Sequence, residues 1–129
     1  MSKELSRGIS LELTEEVTPD KTAEAIGSGM LPVYATPAMI ALMENCACNS
    51  ILDHLEDGQG SVGISMNVEH VSATAEGRQV RAVATLDEVD GRRLVFRVEA
   101  YDDAGLIGKG THERFIINNE RFLEKAKSK

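Results

Sequence analysis

The chain has 129 residues, enough for one core that buries roughly two-thirds of the surface its unfolded form exposes, with no metal or disulfide needed. A net charge of −7 argues against a nucleic-acid role, because phosphate binding rests on Lys and Arg in excess. Hydrophobic residues make up 42% but aromatics only 4%, so Val, Ile, Leu, Met and Ala must fill that core.

The opening stretch "MSKELSRGISLEL" has no apolar run of signal-peptide length. Residues 25–43 are uncharged, but Gly27, Gly29, Pro32 and Pro37 break the run before it could cross a bilayer. The expected location is therefore the cytoplasm, with no membrane partner. "GISLELTEEVT" (8–18) alternates Ile9, Leu11 and Leu13 with polar residues and predicts a strand with one wet face. "PDKTAEAI" (19–26) predicts one or two helical turns opened by Pro19, and "GSGMLPVYA" (27–35) an irregular connection.

A long helix then starts sharply. Thr36 suits the N-cap and Pro37 the first helical position, where a missing N–H costs nothing. The pattern runs to about Glu56, roughly 20 residues or about 30 Å, and "EDGQG" ends it. This helix is apolar almost all the way round, with Glu44 its only charge before Asp53. Cys46 and Cys48 point to nearly opposite sides of it and read as small buried residues, not a disulfide. Nothing resembles zinc-ligand spacing, and no metal is expected.

Four strand-like segments follow. "SVGISMNVEHVSAT" (61–74) puts Val62, Ile64, Met66, Val68 and His70 in one phase. "RQVRAVATLDEV" (78–89) groups Val80, Ala82, Ala84 and Leu86, and "RRLVFRVEAYD" (92–102) groups Leu94, Phe96, Val98 and Ala100. "LIGKGTHERFIIN" (106–118) is looser, its two glycines suggesting a bulge or a close backbone approach. The connections "AEGR", "VDGR" and "DDAG" each carry a turn glycine, and the tail predicts a short helix. The order implies an α+β chain of one domain, residues 1–129, in the hotdog arrangement. A long central helix is wrapped by a curved antiparallel sheet of about five strands. Such a short sheet leaves open edges, so pairing into a homodimer is expected.

Three residues break the apolar pattern where chemistry could use them. Glu44 sits among Ile40, Leu42, Met43 and Ala47, where a carboxylate is poorly solvated unless it shares a wet stripe with Asn45 and Asn49. His70 belongs to the dry face of the first strand after the helix, the face that looks toward Glu44 within one chain or across two. Thr36 lies at the helix N-terminus, where unpaired N–H groups favour developing negative charge.

The segments "TPAMIALMENCA", "GSVGISMNVEHVSAT", "LDEVDGRRLVFRVEAYD" and "IGKGTHERFII" resemble the fluoroacetyl-CoA-thioesterase-like family of hotdog proteins, from about Gly27 to Phe122. The spacing Thr–x7–Glu with a His 26 residues further on, together with "GTHER", carries the resemblance. It implies a catalytic set of Thr36, Glu44 and His70, with Gly63 near the acyl end of the substrate. Before the helix the likeness weakens. The fluoroacetate-specific enzyme carries a longer, phenylalanine-containing lid there, and this chain has "AIGSGMLPVYA". What the resemblance implies is therefore hydrolysis of a small acyl-CoA thioester, and the fluoroacetyl selectivity that goes with that lid is not part of what it implies. Coenzyme A enters as part of the substrate and no cofactor is expected. Arg92, Arg93, Lys109 and Arg114 are candidate cations for its phosphates. The competing readings are a non-catalytic acyl-CoA-binding protein and an enoyl-CoA hydratase, since hotdog folds host both.

Overall fold

The computed structural model describes residues 4–129. Strand β1 (Ser10–Glu16) comes first, then a 3-10 turn (Pro19–Lys21) and one turn of helix, α1 (Ala23–Ile26). The central helix α2 (Thr36–Ser50) follows, and a 3-10 turn (Leu52–His54) leads to β2 (Gln59–His70). Strands β3 (Gln79–Asp90), β4 (Arg93–Asp102) and β5 (Gly105–Asn118) complete the sheet, and α3 (Asn119–Lys127) closes the chain. The five strands are antiparallel in the order β1-β3-β4-β5-β2, so β1 and β2 are the edges. This is the hotdog arrangement.

The alternations in β3 and β4 explain the wrap. Val80, Ala82, Ala84 and Leu86, and Leu94, Phe96, Val98 and Ala100, are all buried on the face that meets α2. The helix supplies Met39, Leu42, Met43, Cys46 and Ala47 to the same core. Its remaining face, Pro37, Ala41, Asn45 and Asn49, is exposed. The hairpin between β3 and β4 turns on Gly91, whose φ of +61° a side chain would strain. In β5, Gly108 lies under Met39, and a Cβ there would come 2.5 Å from the Met39 sulfur. The looseness of that segment is thus a close helix–sheet approach.

Two features depart from expectation. Helix α2 spans 15 residues and stops at Ser50, short of Glu56. The Ser50 hydroxyl bonds back to the Ala47 carbonyl, a local competitor to helix continuation, and Ile51 leaves helical geometry. The second is a bulge in β2. The register with β5 shifts between Gly63 and Ser65, leaving Ile64 without a partner. One extra residue reverses the phase. Val62 therefore pairs with outward-facing Phe115, while Met66 and Val68 pack against the core. The single phase from Val62 to His70 is broken at Ile64, which is half exposed.

Candidate active site

Thr36 is the first residue of α2 and not its N-cap, a position held by Ala35 without a side-chain cap. Pro37 is the second, and both fit the extended backbone that Ala35 adopts before the helix. Freed from capping, the Thr36 hydroxyl lies 2.8 Å from Nδ1 of His70 at the end of β2. The ring of His70 stands edge-on to buried Tyr34, with centroids 6.5 Å apart. Tyr34 is anchored in turn by its hydroxyl, which donates to Glu15 at 2.6 Å. The other imidazole nitrogen, Nε2, is buried and without a hydrogen-bond partner among the described residues. Burial pushes the His70 pKa below its ordinary value, and the Ser72 backbone opposes this weakly. The side chain is therefore neutral at pH 7, with Nδ1 engaged by Thr36 and Nε2 without a hydrogen-bond partner among the described residues. Thr36 and His70 line a cavity of about 290 Å³ with Ser28, Val33 and Val71.

Glu44 lies two turns along α2, about 12 Å further on. It stands neither on a fully wet stripe nor in a sealed core, since its side chain is 43% exposed. Its carboxylate is 3.6 Å from a terminal nitrogen of Arg114 and 3.9 Å from Nε2 of His112. Gly63 lies directly against this group, because a Cβ there would collide with the Glu44 carboxylate and sit 3.1 Å from the His112 ring. Among the described residues, then, Glu44 and Gly63 are brought together, and so are Thr36 and His70. The two pairs occupy separate stretches of α2 and β2.

His112 and Arg114 are 1% and 5% exposed, on alternate positions of β5 facing inward. Arg114 donates to the Ser61 hydroxyl at 2.8 Å, to the Ser61 carbonyl at 3.0 Å and to Nε2 of His112 at 3.1 Å. The His112 Nδ1–H donates to the Ser65 carbonyl at 2.8 Å. That pairing fixes a neutral tautomer. Burial and the Arg114 charge lower the His112 pKa, against the Ser65 carbonyl and Glu44, which raise it. Arg114 is thus a buried clamp beside Glu44, where the sequence reading had it as a candidate cation for the coenzyme A phosphates. "GTHERFII" held the signal for this pair, since His112 and Arg114 share a phase with buried Ile116.

The other candidate cations differ in availability. Arg93 is taken up by Glu113 at 2.8 Å and Glu88 at 3.3 Å. Lys109 faces outward, opposite Glu69 and Glu99 on the neighbouring strands. Arg92 is exposed in the β3–β4 turn and makes no ion pair among the described residues. Cys46 is buried and Cys48 partly so, both as free thiols. No described helix is long and apolar enough to cross a membrane.

Residues 17–120 match the family described as fluoroacetyl-CoA-specific thioesterase. A fluoroacetyl-CoA thioesterase from Streptantibioticus cattleyicolor is 43% identical over 97 residues, 75% of this chain and 70% of that protein. The solved structure of a fluoroacetyl-CoA thioesterase superimposes with a TM-score of 0.92 at 36% identity, covering 98% of each chain. A Thermus thermophilus protein described as a thioesterase superfamily member superimposes with a TM-score of 0.84 at 31% identity, covering 98% of this chain and 99% of its own.

Proposed function

The chain belongs to the fluoroacetyl-CoA-specific thioesterase family, and from that premise we propose that it hydrolyses a small acyl-CoA thioester to the carboxylic acid and free coenzyme A. What supports this most is the Thr36–His70 pair at the N-terminal end of α2, its second imidazole nitrogen buried and, among the described residues, unpartnered. The positive end of the α2 dipole lies on the same side and would suit a thioester oxyanion. In this reading Thr36 orients the imidazole or the substrate, and His70 passes a proton to the departing thiolate. Glu44 either activates water or attacks the carbonyl directly, and Arg114, 3.6 Å away, holds its carboxylate in place. Gly63 leaves room for the acyl end. Water, the carboxylate and the imidazole suffice, so the route needs no cofactor.

The reading requires Glu44 and His70 to meet, and a homodimer would bring this about. Strand β2 is an open edge of 12 residues, with Gly63 near its start and His70 at its end. Two copies paired antiparallel about an axis near Met66 and Asn67 would set His70 of one protomer beside Gly63 and Glu44 of its partner. Each active site would then draw on both chains. The loop 27–32 carries highly exposed Met30, at 89%, and Leu31, and it holds no phenylalanine. We therefore include a range of small acyl groups in the proposal, with no preference for fluoroacetyl.

Complementation tests both parts. Glu44→Gln and His70→Ala are each expected to be nearly inactive in thiol release from acetyl-, propionyl- and fluoroacetyl-CoA. Mixing and reassociating the two variants should restore activity, because half the sites in a mixed dimer regain both native residues. Wild-type protein that releases no thiol from any small acyl-CoA would refute the activity, and mixed dimers that stay inactive would refute the shared site.

A further inference from the structure

A second cavity, of about 330 Å³, lies between α3 and the outer face of β5. Arg92, Arg121 and Lys125 line it, with Phe115 and Phe122 as apolar walls. No carboxylate lines it, although the chain carries 21 acidic residues against 14 Lys and Arg. None of the three cations makes an ion pair among the described residues, whereas Lys21, Arg81, Arg93 and Arg97 on the same molecule all do. Phe115 and Phe122 are each more than a third exposed, so their rings are open to a flat ligand. The placement follows from the sequence. Outward Phe115 alternates with inward Arg114, and the Asn118 side chain accepts from the Arg121 N–H, starting α3 so that Arg121, Phe122 and Lys125 fall on one side of it.

We infer that this groove holds the 3′-phosphoadenosine diphosphate end of coenzyme A, the adenine against Phe115 or Phe122 and the phosphates on Arg92, Arg121 and Lys125. The assignment rests on the acyl-CoA reading above and adds to it the place where the charged head is held. Two chemical requirements favour this occupant. The ligand must be an anion with several charges, because three unpaired cations converge, and it must carry a planar apolar part, because the walls are aromatic. The position also suits a substrate whose thioester lies at Gly63. Gln59 and Asn118, which pair at the end of the β2–β5 ladder, line the groove, so it opens at the rim of the sheet four residues from Gly63. An extended pantetheine arm would run from there over the rim to Gly63 and the Glu44 carboxylate. On an acidic protein, such a local cationic groove gives a polyanionic substrate a seat that the overall charge does not.

The test is charge reversal at two exposed residues, Arg121→Glu with Lys125→Glu, in the full-length protein. KM for acetyl-CoA should rise about tenfold or more while kcat stays near wild type, and KM for the acetyl thioester of pantetheine, which lacks the nucleotide, should not move. An equal reversal of charge at Arg7 and Lys127, outside the groove, should leave KM for acetyl-CoA where it was. Calorimetry with adenosine 3′,5′-bisphosphate supplies a readout independent of hydrolysis: binding by the wild type, lost in the Arg121/Lys125 variant. An unchanged KM for acetyl-CoA, an equal rise for both thioesters, or an equal rise in the Arg7/Lys127 control would overturn the assignment while leaving the thioesterase reading standing. Nucleotide binding that the variant loses, in a protein that cleaves no thioester, would do the reverse.

Discussion

The two polar groups on α2 are built by opposite means. Around Thr36 and His70, among the described residues, there is one side-chain hydrogen bond, a neutral ring and a buried nitrogen without a partner. Around Glu44 there is a dense base of Arg114, His112 and Ser61, each satisfied by the next, with only the carboxylate left open. The first group leaves a polar atom open and contributes little to holding the fold. The second is held rigidly by its supports and presents one acid. Variation in each should therefore register in different measurements, and the contrast can be attacked from both ends.

The largest effect belongs to Glu44. Glu44→Gln keeps the shape and removes the charge, and kcat for acetyl-CoA should fall by about 10²–10⁴-fold. Because the side chain is nearly half exposed, the urea midpoint should stay close to wild type. A variant that unfolds as readily as it loses activity would make Glu44 a structural residue and erase the distinction.

Arg114→Ala should show the opposite signature. It removes the donor to the Ser61 hydroxyl and carbonyl and to His112, leaving buried acceptors unmet at a cost of about 1–3 kcal/mol in urea unfolding. Activity should fall as well, through loss of the group that positions Glu44. Lysine at this position cannot reproduce the fork that grips Ser61 and His112 together, so Arg114→Lys should restore little of the stability. Stability unchanged in both variants would mean that the clamp around Glu44 is no more rigid than the region around Thr36.

The two groups were unequally legible in the sequence. Glu44 and His70 stood out because each interrupts an apolar pattern, and Thr36 because it precedes a helix-starting proline. The helix, the strands and their inward faces in β3 and β4 were readable for the same reason, strict periodicity. Arg114 was read as a cation for the substrate's phosphates because charge outweighed phase in a segment loosened by Gly108 and Gly110. The bulge at Ile64 had no local signature, since the stretch alternates through it without a break. What sets it is pairing with β5, a contact that single-strand periodicity does not contain. Arg121 and Lys125 escaped notice because a cation's availability depends on which carboxylates the fold leaves away from it.

Thr36→Val probes the loose group directly. It preserves shape and removes one hydrogen bond to His70, worth about 0.5–1.5 kcal/mol at most and less where water replaces it. Thr36→Ser should keep the bond. If the hydroxyl orients the imidazole, the valine variant should lose kcat far beyond this small stability change, and the serine variant should recover most of it. Equal activity in the two variants would assign Thr36 to the helix terminus alone.

The smallest expected effect is a pH dependence that ranks the two histidines. Burial lowers both pKa values from the ordinary 6.5, so the unfolded chain binds more protons than the folded one as pH falls below that value. Stability is then fully present above about pH 6.5 and is lost as pH falls through the lowered folded values. His112 is sealed, and its Nε2 already accepts from Arg114, so protonation there sets two cationic donors against each other. At half-buried His70, a proton on Nε2 meets no opposing cation among its hydrogen-bond partners. Most of the acid loss should therefore come from His112. Urea midpoints followed from about pH 8 to about pH 5 should fall in the wild type and in His70→Gln, and should flatten in His112→Gln. A slope that vanishes in His70→Gln instead would transfer the titration to the Thr36–His70 pair. It would also mean that the clamp beneath Glu44 tolerates a second charge, which the hydrogen bond between Arg114 and Nε2 argues it does not.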